Sequence, residues 1–210
     1  EEKKTLREMI RRNRLAFAKD LKPAGQAYFE PHAINLRTEE PVWTAQHRRS
    51  KAEEEIIDKE ALELYRKGVI RRAWTSAYNS PMMVVKKKDG RWRSVIDYRR
   101  INSLTVKEPY PIPRVDEAFD ALSKAKFMTT FDLTWGYWQT PLAEDSKKKT
   151  AFTTRSGRWE YNVLPMGITN AAPTFQRNME VMLSGLLWKK CIIYIDDIIR
   201  KRFRGACKEC

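Results

Sequence analysis

Residues 191–199 read Cys-Ile-Ile-Tyr-Ile-Asp-Asp-Ile-Ile, two adjacent carboxylates inside an almost unbroken apolar run. Burying a carboxylate is unfavourable by several kcal/mol unless a partner compensates it. The run is short and β-branched, so it reads as buried strand rather than helix. Asp tolerates the backbone of a tight turn. The expected local structure is therefore a hairpin, with a strand over 190–195, a turn at Asp196-Asp197 and a return strand from Ile198. Two acids at the tip of apolar arms suit a divalent cation better than a salt bridge.

A hairpin of this kind needs a further acid to hold metal, and Asp132 is the best candidate. It closes the β-rich run Phe127-Met-Thr-Thr-Phe-Asp132, and Leu133, Gly136 and bulky aromatics follow directly. One acid at a strand end and a pair at a neighbouring hairpin can bind two Mg²⁺ ions about 3.5–4 Å apart, the arrangement that performs phosphoryl or nucleotidyl transfer. The competing reading makes Asp132 a strand-end turn residue and Asp196-Asp197 an ordinary exposed turn.

Charge favours a polyanionic partner. Lys and Arg number 41 against 27 Asp and Glu, a net charge of +14 in 210 residues, and such an excess most often meets nucleic acid. No apolar run approaches the roughly 20 residues of a membrane span, and no signal-peptide core follows the charged N-terminus. Three cysteines do not make a secreted disulfide framework, so an intracellular, cytoplasmic or nuclear setting is expected rather than secretion. Cys207-Lys-Glu-Cys210 is a lone C-x-x-C and reads as chance spacing. His32 and His47 are isolated and are expected to be neither ligands nor catalysts.

Along the chain, 1–19 is a charged, helix-compatible segment and 31–37 alternates like an edge strand. Helix over 50–67 is expected from the capping box Ser50/Glu53, the apolar face Ile57, Ala61 and Leu64, and the stop at Gly68. Residues 69–74 read as extended. A hairpin spans 82–98, with Asp89-Gly90 in a turn dense in cations (Lys86, Lys87, Lys88, Arg91, Arg93). Pro109, Pro111 and Pro113 exclude helix until 114–124, where Val115, Phe119 and Leu122 form the expected buried face. Strands over 150–154 and 158–163 flank Arg155-Ser-Gly157. A long helix over 169–187 would bury Phe175, Met179, Met182 and Leu183.

Taken in order, these pieces resemble the reverse transcriptases of gypsy-type LTR retrotransposons over about residues 30–199. The matching stretches are Ser80-Pro81, Lys86-Lys-Lys-Asp-Gly90 with Asp97-Tyr98-Arg99, Tyr110-Pro-Ile-Pro113, Phe131-Asp132-Leu133 with Gly136-Tyr137, Lys149-Thr150-Ala151-Phe152, Leu164-Pro-Met-Gly167, Asn170-Ala-Ala172 with Phe175-Gln176, and Tyr194-Ile-Asp-Asp197. The resemblance implies an α+β, right-hand polymerase fold, an antiparallel sheet backed by helices. It places fingers at about 69–102 and palm at about 103–199, after a charged extension over 1–29. Residues 200–210 do not resemble the family's continuation, so the thumb is expected to be absent.

The same resemblance implies that Asp132, Asp196 and Asp197 are catalytic and bind two Mg²⁺ ions, Mn²⁺ being a substitute, with the Leu133 backbone carbonyl a further ligand. Lys87 and Arg93 match fingers positions that meet the triphosphate. Tyr137 matches the residue beneath the sugar that excludes a 2′-hydroxyl, plain core being the competing reading. Gln176 lies where the family holds the nucleotide; Pro165, Met166, Gly167 and Tyr194 lie where it holds template and primer. Met166 departs from the pattern, since many relatives carry an aromatic residue or Gln there. The implied partners are an RNA template, a DNA primer and dNTP, with a second subunit or the thumb and RNase H region of a polyprotein. The implied activity is RNA-directed DNA synthesis. The alternatives are a catalytically impaired nucleic-acid-binding or interaction module, and a metal-dependent nuclease.

Overall fold

The computed structural model describes residues 2–14, 28–86, 90, 92–123, 125 and 127–202. A first helix, α1 (Glu2–Arg12), precedes α2 (Lys51–Arg66). The start of α2 is set locally. Ser50 Oγ accepts from the Glu53 N–H, and the Glu53 carboxylate accepts from the Ser50 N–H, a reciprocal cap contributing about 1 kcal/mol. Gly68, at φ 71°, takes the left-handed conformation that ends the helix. The segment 31–37 forms only isolated bridges, His32 with Leu142 and Leu36 with Thr105, rather than the expected strand.

Strand β1 (Ile70–Arg72) is followed by the hairpin β2 (Met82–Lys86) and β3 (Trp92–Ile96), and then by α3 (Arg99–Leu104). Helix α4 (Val115–Leu122), strand β4 (Phe127–Asp132) and a 3-10 turn at Gly136–Gln139 come next. A short helix α5 (Glu144–Lys147) leads to β5 (Phe152–Thr154) and β6 (Gly157–Tyr161). Helix α6 (Ala171–Met182) precedes β7 (Cys191–Tyr194) and β8 (Asp197–Arg202). The pairings are antiparallel, in sheets ordered β1-β6-β5, β2-β3 and β4-β8-β7.

Two apolar clusters hold these layers. The larger gathers Ile57, Ala61 and Leu64 of α2 with Ile70, Met82, Ile101, Phe152 and Trp159, tying α2 to the first sheet and the hairpin. The smaller gathers Phe175 and Met179 of α6 with Ile193 of β7, and Leu133, Leu183, Ile195 and Ile198 pack around it. Tyr137 packs against both.

Two expectations about helices fail. Helix α4 buries none of its residues: Val115 is 48% and Phe119 68% exposed. An amphipathic period guarantees an apolar stripe, but a stripe is buried only if another element lies on it. Helix α6 ends at Met182 rather than running to 187, and Met182 is 52% exposed. Positive φ at Gly185 and Trp188 shows the chain turning out of helical conformation there.

Candidate active site at the β4 and β7–β8 strand ends

The three acids meet because of register. In the β4–β8 pair, Asp132 stands directly opposite Asp197, and residues so placed have Cβ atoms about 4.5–5.5 Å apart. In the β7–β8 pair, Tyr194 stands opposite Asp197. The two-residue connection is therefore Ile195-Asp196, one position earlier than the sequence suggests. Ile193 and Ile198 point into the cluster under α6, so by strand alternation Asp132, Tyr194 and Asp197 share the opposite face. Asp196 sits at the tip beside them.

This shift puts Ile195 at φ 53°, a left-handed conformation that disfavours a β-branched residue by roughly 1–2 kcal/mol. Two contacts hold it. The Ile195 side chain packs against the Phe175–Met179–Ile193 cluster, and its N–H donates to Gln176 Oε1 at 2.8 Å. Gln176, expected at the nucleotide, is 0% exposed, and its Nε2 donates to Glu180 Oε1 at 2.8 Å and to the Ile193 carbonyl at 3.4 Å. Both amide donors and one lone pair of the amide oxygen are engaged by the turn and Glu180, so in this structure the side chain supports the turn.

Electrostatically the trio is under tension. Burial first, then the charges of Asp132 and Asp197, push the Asp196 carboxyl above the usual carboxylate range. Its Oδ1 is buried and has no hydrogen-bond partner. An orphaned, partly desolvated carboxylate oxygen beside two more carboxylates fits a hard cation better than any protein donor on hand. Among the described residues no three His, Cys, Asp or Glu side chains close around an ion by themselves. The Leu133 carbonyl already accepts from the Gly136 N–H at 3.2 Å, which leaves it one lone pair.

The floor beside the acids is aromatic. Tyr137 stacks on Phe175 with ring centroids 5.0 Å apart, and burial together with the Asp196 charge raises its hydroxyl to about 12. Gly136 is required by close approach, since a Cβ there would lie 2.7 Å from Phe175 Cζ. Trp135, at φ 58°, stacks on Trp138 at 4.0 Å.

Of the other expected positions, Arg93 is exposed on β3, whereas Lys87 lies outside the described residues. In the Leu164-Pro-Met-Gly167 turn, Pro165 is buried, Met166 is exposed and Gly167 adopts φ 93°. Sequence reasoning missed Asn102, whose Nδ2 donates to the Gly167 carbonyl at 2.7 Å while its Oδ1 accepts from the Thr169 N–H at 2.9 Å. Asn170, singled out in the sequence only as part of a matching stretch, accepts from the Glu108 N–H and donates to the Val106 carbonyl. Polar residues flanking the conformationally special Pro-Met-Gly turn were the available signal. No helix among the described residues is long and apolar enough to cross a membrane.

Known proteins resemble this chain in sequence and in fold. Residues 85–200 match the family model "Reverse transcriptase (RNA-dependent DNA polymerase)". The Pol polyprotein of transposon 297 from Drosophila melanogaster is 40% identical over 173 residues, 80% of this chain and 16% of that protein. The Pol polyprotein of transposon gypsy, from the same organism, is 37% identical over 166 residues, 76% of this chain and 16% of its own length. The chain thus spans about one-sixth of these polyproteins. An RNA-directed DNA polymerase homolog of Oenothera berteroana is 43% identical over 107 residues, 51% of this chain and 75% of its own. Among solved structures, the foamy viral protease–reverse transcriptase in complex with an RNA/DNA hybrid superposes with a TM-score of 0.85 at 26% identity, covering 97% of this chain and 27% of that one. With more than half of its length inside the family model, and an α+β fold shared with the foamy viral protease–reverse transcriptase, the chain belongs to the reverse transcriptases, a family of nucleotidyltransferases, and is similar to the Pol polyproteins of Drosophila transposons.

Proposed function

We propose that this chain carries the catalytic centre for RNA-templated addition of a dNTP to a primer 3′-hydroxyl. The observation that supports it most is the Asp132–Asp197 register with the orphaned Asp196 Oδ1 beside it. In this reading Asp132, Asp196 and Asp197 would hold two Mg²⁺ ions, with the Leu133 carbonyl as a further oxygen. When bound, the metal supplies Lewis acidity toward the primer hydroxyl and the triphosphate oxygens.

The remaining roles belong to this chain's own groups. Tyr137 forms the floor under the sugar; its ring, backed by Phe175, is a rigid wall against a 2′-hydroxyl. The phenol stays neutral across the physiological range, because burial and Asp196 raise it to about 12. Arg93 meets the triphosphate charge as an exposed cation, and Lys87, which lies outside the described residues, is assigned the same role from its sequence position alone. Pro165, Met166, Gly167 and Tyr194 flank the template and primer path. We divide the chain into fingers at about 69–102 and palm at about 103–199; β6, inside the palm span, pairs with β1 of the fingers span, so the two spans share one sheet. The foamy viral complex holds an RNA/DNA hybrid, and we carry that substrate class over to this chain.

The test is primer extension by purified protein on an RNA template with Mg²⁺ or Mn²⁺. Loss of incorporation in Asp132→Ala, with nucleic-acid binding retained, supports the assignment. Unchanged extension in that variant removes it. Binding that persists in EDTA with no incorporation under any metal by the unmodified chain identifies a binding module instead.

A further inference from the structure

The orientation of the Gln176 amide is determined by its neighbours. The Ile195 N–H can only donate, so Oε1 must face it, whereas the Ile193 carbonyl and Glu180 Oε1 can only accept, so Nε2 must face them. Glu180 does not end the chain of contacts. Its second oxygen, Oε2, accepts the hydroxyl of Tyr110 at 2.6 Å. Tyr110 lies between Pro109 and Pro111 in a segment whose prolines restrict its backbone. A continuous line therefore runs from the proline-rich segment through Glu180 and Gln176 to the turn that carries Asp196.

We propose that Glu180 and Tyr110 are positioning residues: by fixing the Gln176 amide, they hold the Ile195-Asp196 turn where the Asp196 carboxylate meets those of Asp132 and Asp197. The proposal rests on the reading of that trio as a divalent-metal site. Neither residue is hydrogen-bonded to the acids, so any influence passes through Gln176. A carboxylate accepting from the amide gives a charge-assisted bond that selects one amide orientation. The Tyr110 hydroxyl occupies the other oxygen and keeps Glu180 from turning to solvent. Burial and Glu180 raise that hydroxyl to about 12, so it remains a donor throughout the working pH range. The turn needs such support because a β-branched residue at φ 53° is not held there by its own preference.

The test uses the full chain and reads two quantities besides turnover: hydrogen exchange at the Ile195 amide, by NMR, and Mn²⁺ affinity, by electron paramagnetic resonance of the free ion. In Glu180→Ala, Ile195 exchange accelerates at least tenfold and Mn²⁺ binds about tenfold more weakly, the low end of what outer-shell partners of metal ligands control. In Glu180→Gln, a carbonyl still accepts from Gln176 and the new amide donates to Tyr110, so both quantities stay within about twofold. Tyr110→Phe gives an intermediate loss and serves as the deciding variant should Glu180→Ala not fold. Wild-type values in Glu180→Ala or Tyr110→Phe, or equal losses in Glu180→Ala and Glu180→Gln, overturn the proposal. If the unmodified chain binds no Mn²⁺, the metal reading fails, and Ile195 exchange still decides whether the relay holds the turn.

Discussion

Substituting Gly136 by Ala places one methyl group where the structure leaves no room. The new Cβ would stand 2.7 Å from Phe175 Cζ, 3.1 Å from Cε2 and 3.5 Å from Leu133 Cβ. Non-bonded carbons settle at about 3.5–4.0 Å, so the Phe175 ring must retreat by roughly 0.8 Å or more. Phe175 is fully buried against Met179 and Ile193, where extra volume costs about 1–3 kcal/mol. The φ of Gly136 is not in the left-handed range, so the effect is steric alone. For a chain of this size, each kcal/mol lowers Tm by about 2–4 °C, giving an expected drop of about 2–12 °C by differential scanning fluorimetry. Tyr137 stacks on the displaced ring, so in primer extension the KM for dNTP should rise more than kcat falls. Phe175→Leu should relieve the clash, making the double variant less destabilised than the sum of the singles. A Gly136→Ala protein melting within about 1 °C of wild type, or strict additivity with Phe175→Leu, would refute this packing account.

Other outcomes follow from the same geometry. Because burial and two like charges raise the Asp196 carboxyl, the folded state holds more protons than the unfolded one between the ordinary and raised pKa, and stability falls as pH rises through that window. Asp196→Asn should therefore stabilise the metal-free protein at pH 7, on the order of 1 kcal/mol after solvent screening. That gain should shrink as pH falls toward the ordinary value of 3.8, while Mg²⁺ should stabilise the wild type only, by about 2.7 kcal/mol at a hundredfold excess over Kd. Asn102→Ala removes both hydrogen bonds to the 167–169 turn; denaturant melts should show a loss of about 1–3 kcal/mol, with faster exchange at the Thr169 amide. Phe119→Ser should cost less than about 1 kcal/mol, since this ring is 68% exposed, against about 3–5 for a buried Phe truncated to Ala; a larger loss would mean that the α4 face is covered in solution.

Much of the local structure was legible from residues alone. The capping box at Ser50 and Glu53 and the turn at Gly68 depend on contacts within a few positions, the strand ending in Asp132 is marked by its local β-propensity, and each stands where the sequence predicts. The turn of the acidic hairpin did not, because its position depends on two partners distant in sequence. Pairing with β4 sets Asp197 opposite Asp132, and Gln176, 19 residues away, supports the left-handed Ile195. Local propensity alone would assign that turn to the aspartates.

Gln176 marks the same boundary. Its motif signals importance, yet only the fold shows its amide wholly engaged by Ile193, Ile195 and Glu180. The amino-acid sequence by itself determined most of the elements and suggested the kind of chemistry, because propensity, capping and the placement of carboxylates in apolar runs are short-range properties. Tertiary structure alone decided the register that joins Asp132 to Asp197, the conformation of Ile195 and the exposure of Val115 and Phe119. Each of these is a relation between surfaces far apart along the chain, and its energy exists only once the two surfaces have met.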